Sequence, residues 1–273
     1  MNTILCSTGA LIGKPNGRNY KLLEPCAREL SCDGFEFMMY ESWYGTAGVL
    51  IEDLLRMQLF IPVMHCDKHI GELLSSGEKA ELQTALELFS ENCRIASELG
   101  ASTLVLHLWN GLPSDRHIKN HLAAFPFFAE IASSFRLDLT VENVICNCGD
   151  PMTHWRELAQ MYPDIHFTFD TKMAAFHGQT DIFSDDSADW MFPHIRHLHV
   201  NDYAGGIKDW KNLKTLAPGE GHVDFGSFFD WLCRRHAYSG TMTVEATAFD
   251  KDGNLHIDRL NAGFEKIRGL LSR

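Results

Sequence analysis

Four short apolar, β-branched runs each end in a side chain that can bind a cation or move a proton. Residues 137–143 end in Glu142, 165–171 in Asp170, 194–202 in His199 and 241–246 in Glu245. Alternate side chains of a strand share a face, so His197 and His199 point the same way and Asp202 lies just past the strand end. Burying two imidazoles is costly unless something bonds them, because an unsatisfied buried polar group costs about 1–3 kcal/mol. Three carboxylates and one imidazole at four strand ends make an oxygen-rich donor set of the kind that holds a divalent metal ion.

The elements that must bring these groups together follow from periodicity. Further strand-like runs are 4–8, 34–39 with Glu36 inside it, 59–66 ending in His65, and 102–107 ending in His107. Glu36 is either a solvated strand end or a group that touches substrate or supports a neighbouring ligand. Helical spacing predicts helices over 21–30, 48–58, 76–99, 115–135, 153–161, 184–191, 227–236 and 258–271, with a polar loop after residue 66. Gly100 closes the third helix, Pro126 bends the fourth and Tyr162-Pro163 stops the fifth.

Eight strand-then-helix units in 273 residues predict an α/β fold, a (β/α)8 TIM barrel forming a single domain over 1–273. The rival open doubly wound sheet normally carries a Gly-rich turn after its first strand, and none is evident. In a barrel all C-terminal strand ends face one mouth, which gathers His65, His107, Glu142, Asp170, His199 and Glu245.

A formal net charge of −12 argues against a nucleic-acid partner. The apolar runs are too short to span a membrane and the N-terminus lacks a signal pattern, so a soluble, cytoplasmic protein is expected. Eight cysteines without regular spacing fit reduced thiols. Cys146 and Cys148, with Asp150 and His154 nearby, read as a loop rather than a zinc clip. Helices bearing Trp and Phe allow a homodimer or homotetramer.

Several motifs occur together in order along the chain: 33–37 (Asp-Gly-Phe-Glu-Phe), 98–101, Val141-Glu142-Asn143, 169–174 around Asp170, 197–202 around His199, 218–221 (Pro-Gly-Glu-Gly) and Val244-Glu245-Ala246. This ordered set resembles the xylose isomerase-like barrel superfamily, in particular its sugar phosphate isomerase/epimerase branch, related to family 2 of the AP endonucleases. The resemblance implies one divalent ion (Mn, Mg, Co or Zn) held by Glu142, Asp170, His199 and Glu245. It implies isomerisation or epimerisation of a sugar, sugar phosphate or other sugar-derived carbonyl compound through an enediolate, with Glu142 and Glu245 as catalytic proton donor and acceptor. His65, His107, Lys172, Glu36 and Trp109 are then the expected substrate-binding residues, and Asp202 the acceptor that orients His199. Phe176 is a second candidate for stacking on a sugar, and His222 sits in a Gly-flanked loop that could act as a lid.

One position departs from the pattern. Ketose 3-epimerases of this superfamily carry a substrate-binding His three residues after the sixth-strand aspartate, where this chain has Met173; Lys172 precedes it, on the face of Asp170 if the strand continues. An endonuclease IV-like zinc phosphodiesterase is an alternative, because His65 and His107 fall where that enzyme class has zinc ligands. It also needs the missing His at 173 and an Asp-X-His after the seventh strand. A non-catalytic sugar-binding barrel is the third reading.

Overall fold

The computed structural model describes residues 2–180 and 186–272. Its strands are β1 (Thr3–Ser7), β2 (Gly34–Met38), β3 (Val63–His65), β4 (Thr103–Leu106), β5 (Asp138–Glu142), β6 (His166–Asp170), β7 (Ile195–His199) and β8 (Thr241–Val244). They form a closed parallel barrel in sequence order. The α-helices are α1 (Leu23–Ala27), α2 (Ala47–Met57), α3 (His69–Ser76), α4 (Lys79–Glu98), α5 (Ile118–Ser134), α6 (Pro151–Met161), α7 (Thr171–Phe176), α8 (Phe225–Phe229) and α9 (Ile257–Leu271). No described helix is long and apolar enough to cross a membrane.

The chain divides into two compact units, one comprising 1–36 with 169–273 and the other 37–168. In the first, β1 pairs with both β2 and β8, and β8 with β7; the register sets Ser7 beside Glu36 and His199 beside Thr243. Its core includes Phe169 stacked on Phe228, with Phe264 and Tyr203 fully buried. In the second, β3, β4, β5 and β6 pair in turn, setting His65 beside Val105 and Glu142 beside Thr168. Its core includes Trp155 stacked on Phe167 and the edge-to-face pair Phe89 and Phe128.

Pro126 lies inside α5 without ending it. A proline withholds the N–H that would bond the carbonyl four residues back, and here the Leu122 carbonyl accepts the Tyr162 hydroxyl instead, at 3.0 Å. Gly100 adopts φ +80°, the left-handed conformation that ends a helix.

Three expectations need correction. The polar loop after residue 66 contains α3; Ile70 and Leu74, one turn apart, are buried, and Gly77 at φ +80° closes the helix. The helix expected over 227–236 starts two residues earlier, as α8, and continues as a π-helical turn over Asp230–Arg235. The sixth strand does not run on through Lys172: Asp170 ends β6 and caps α7, its Oδ1 accepting the Met173 N–H at 2.9 Å. Lys172 therefore belongs to a helix and not to the strand face of Asp170. Of the helix expected over 184–191, residues 184 and 185 lie outside the described residues, and Asp186–His194 form a 3-10 helix.

Candidate functional site

The first unit holds the last two residues of β6, ending at Asp170, together with the end of β7 at His199 and, one residue past β8, Glu245. Each contributes one ligand atom, and the three lie within 4.8 Å of one another. His199 Nδ1 is 3.9 Å from Asp170 Oδ2 and 3.5 Å from Glu245 Oε2. Asp170 and His199 are fully buried, and the Glu245 side chain is 10% exposed. Two carboxylate oxygens and one imidazole nitrogen at this separation suit a hard or borderline divalent cation, so the residues present fit the ion that the sequence implies.

Asn201, two residues past β7, ties this group together. Its Nδ2 donates to Asp170 Oδ2 at 3.1 Å and to Glu245 Oε2 at 3.0 Å, while its Oδ1 accepts the Glu245 backbone N–H at 2.8 Å. Thr171 fixes Asn201 in turn, its hydroxyl donating to the Asn201 carbonyl at 2.6 Å. Both residues fall within the sequence motifs around Asp170 and His199, which assign neither of them a role. The available signal was a neutral amide immediately after a strand whose neighbours end in acids.

His199 is oriented by Glu36. Its Nε2 lies 3.1 and 3.2 Å from the two Glu36 oxygens, and His197 Nε2 lies 2.9 Å from Glu36 Oε2. Burial alone would raise the Glu36 carboxyl, but His199 and His197 outweigh it and hold the group well below the usual carboxylate range. An ionised carboxylate only accepts, so both Nε2 atoms carry the proton. That tautomer turns the His199 Nδ1 lone pair toward Asp170 and Glu245. Glu36, fully buried, thus serves the two imidazoles.

Asp202 does not take the expected role. Its carboxylate is bonded by four backbone N–H groups, from Tyr203, Gly219, Gly221 and Val223, at 2.7–3.0 Å. It anchors the loop after β7. His222 belongs to the same loop, with Nε2 donating to the Gly205 carbonyl at 2.8 Å.

In the second unit, β5 ends at Glu142, and two imidazoles flank its carboxylate. His107 Nε2 lies 2.7 Å and His65 Nε2 3.3 Å from Glu142 Oε2. The His65 Nδ1–H donates to the Cys66 carbonyl at 2.7 Å. Burial pushes His107 down to about 4, against the pull of Glu142, so it is neutral at pH 7 and donates through Nε2. His107 therefore holds Glu142 in place, while His65, its Nδ1–H given to the Cys66 carbonyl, packs its Nε2 edge beside the same oxygen. Trp109 is fully buried, with its indole N–H on the Val144 carbonyl at 3.0 Å and its ring against His154. It fills the core and offers no face to a sugar. Phe176 is likewise fully buried.

Cys146 and His154 also come together, with Asp115 rather than Asp150 as the third member. Asp115 is occupied by the backbone N–H groups of Asn147, Cys148 and Gly149 and by His154 Nε2. Burial raises the Asp115 carboxyl, but these donors prevail and hold it at about 2. The cluster is a loop anchor.

A family model described as a xylose isomerase-like TIM barrel matches residues 26–265. No curated protein matches the chain. Solved structures with the same fold include D-allulose 3-epimerase from Methylomonas sp. in complex with D-allulose, 16% identical with a TM-score of 0.73 over 98% of this chain and 96% of that one. An L-ribulose 3-epimerase is 16% identical, with a TM-score of 0.74 over 100% and 95% of the two chains. D-psicose 3-epimerase with D-tagatose from Clostridium cellulolyticum H10 is 12% identical, with a TM-score of 0.68 over 98% and 99%.

Proposed function

Because the chain belongs to the xylose isomerase-like TIM barrel family, we propose that it is a divalent metal-dependent isomerase or epimerase acting on a sugar-like carbonyl compound. The observation that carries this reading is the convergence of Asp170 and Glu245 on Nδ1 of His199. A buried cluster of this composition is unfavourable by itself, since its like charges repel and its ions are desolvated, and a cation relieves both. Glu142, at the end of β5, is the proposed fourth ligand. When bound, a divalent ion supplies Lewis-acid polarisation of a carbonyl oxygen.

The remaining chemistry belongs to the protein's own side chains. Glu142 and Glu245 are the proposed acid and base, one removing the proton next to the carbonyl and the other delivering a proton to the enediolate. His107 donates to Glu142 and Asn201 donates to Glu245, so each carboxylate is held and its basicity set by a neutral donor. Such acid–base groups contribute about 10² to 10⁴ in rate. Three of the fold's solved relatives bear names of sugar 3-epimerases, which favours a ketose-like substrate. The phosphodiesterase reading has less support: position 173 is a methionine 8% exposed, where that chemistry needs a zinc-binding imidazole.

The test is elemental analysis of chelator-free protein, wild type beside His199→Ala, followed by solvent deuterium uptake into ketoses. About one divalent ion per chain, lost in the variant, with deuterium entering the carbon next to the carbonyl, is expected. No bound ion after manganese, cobalt or zinc is supplied would overturn the assignment. Bound ion without exchange in any ketose would favour a sugar-binding barrel.

A further inference from the structure

Lys172 is 7% exposed. An ammonium has three N–H donors and no acceptor, and one donor goes to Thr215 Oγ1 at 3.0 Å. Among the described residues that neutral hydroxyl is the Lys172 partner, and no carboxylate pairs with it. This is an unusual state for a buried cation, because the cost of removing an ammonium from water is recovered only by an opposite charge or a full set of acceptors. The other buried polar groups near it are served: Asp170 receives Met173 N–H and Asn201 Nδ2, and Asp202 receives four backbone donors.

The position of the ammonium is also defined. Lys172 lies two residues past the end of β6, where Asp170 stands. Thr215 adjoins Leu216, whose backbone is paired with Asp202 just beyond β7. Nζ is thereby fastened at the same ends of β6 and β7 that carry Asp170 and His199.

We infer that Lys172 recognises an acidic substituent, carboxylate or phosphate, and that the substrate of this site is an anionic sugar derivative rather than a neutral ketose. The inference rests on the proton-transfer reading above for the location of the sugar. An oxyanion supplies the charge and the acceptors that Lys172 lacks, and a charge-assisted hydrogen bond of this kind corresponds to about a tenfold to hundredfold gain in affinity.

The experiment is calorimetric titration of manganese-loaded protein with D-fructose, D-fructose 6-phosphate and D-fructuronate, with deuterium uptake from solvent recorded for each. In the wild type one of the two anions binds at least tenfold more tightly than D-fructose, and which one it is separates phosphate from carboxylate. The ratio falls toward one in Lys172→Gln and Lys172→Met and is largely retained in Lys172→Arg. Equal affinities for the three compounds in the wild type overturn the inference without need of any variant, as does an anion preference that survives in Lys172→Gln. Deuterium entering D-fructose with no anion preference removes this inference and leaves the proton-transfer reading. An anion preference that depends on Lys172, with no exchange in any compound, does the reverse.

Discussion

Glu36 and His199 are 163 positions apart in the chain, yet His199 Nε2 lies 3.1 Å from Glu36 Oε1. That contact decides which imidazole nitrogen is left to face Asp170 and Glu245. Glu36→Gln keeps the volume but removes the charge that holds both imidazoles in the Nε2–H form. Metal affinity should fall about 10- to 100-fold, read by competitive titration of manganese or zinc against a chromogenic chelator. Unchanged affinity would mean that the contact does not orient the ligand.

Asn201 donates through one amide nitrogen to both Asp170 and Glu245. Asn201→Ala removes both donors and the acceptor for the Glu245 N–H. It should destabilise the metal-free protein by about 1–3 kcal/mol in urea unfolding. Added divalent metal should recover part of that loss, since the cation replaces the amide as the carboxylates' partner.

His121 gives a pH signature away from the site. Burial first, with His117 nearby, lowers it from 6.5 to about 4. A histidine with a lowered folded-state value takes up its proton on unfolding, so its contribution to stability is intact above pH 6.5 and is lost progressively down to about 4. Urea midpoints measured at pH 7, 5.5 and 4.5 should fall in that order. His121→Leu should reduce the fall; an identical profile would remove His121 as its cause, leaving His107, which shifts the same way.

Asp202 gathers four backbone donors from Tyr203 to Val223, so Asp202→Ala should free that loop rather than disturb His199. Amide exchange at Gly219, Gly221 and Val223 should accelerate while metal affinity stays within a few fold. Gly221→Ala should act similarly, because a Cβ there would sit 2.3 Å from the Tyr203 carbonyl oxygen. A collapse of metal affinity in Asp202→Ala with the loop still protected would restore Asp202 as the partner of His199.

The sequence by itself determined the strands and what stands at their ends. Alternating and β-branched runs survive translation into structure because they report local backbone preference and the side that must be buried, and Glu142, Asp170 and His199 do end β5, β6 and β7. The barrel itself was legible from the repeat of strand and helix. Only the tertiary structure decided the partners. Glu36 rather than Asp202 reaches His199, although Asp202 is three residues away, because strand register, not sequence proximity, selects which buried groups meet. Trp109 turned out to be core and α3 to be a helix, since burial depends on what packs over a residue. The fate of Lys172 turned on one hydrogen bond: by capping α7, Asp170 ended the strand and carried the ammonium to Thr215.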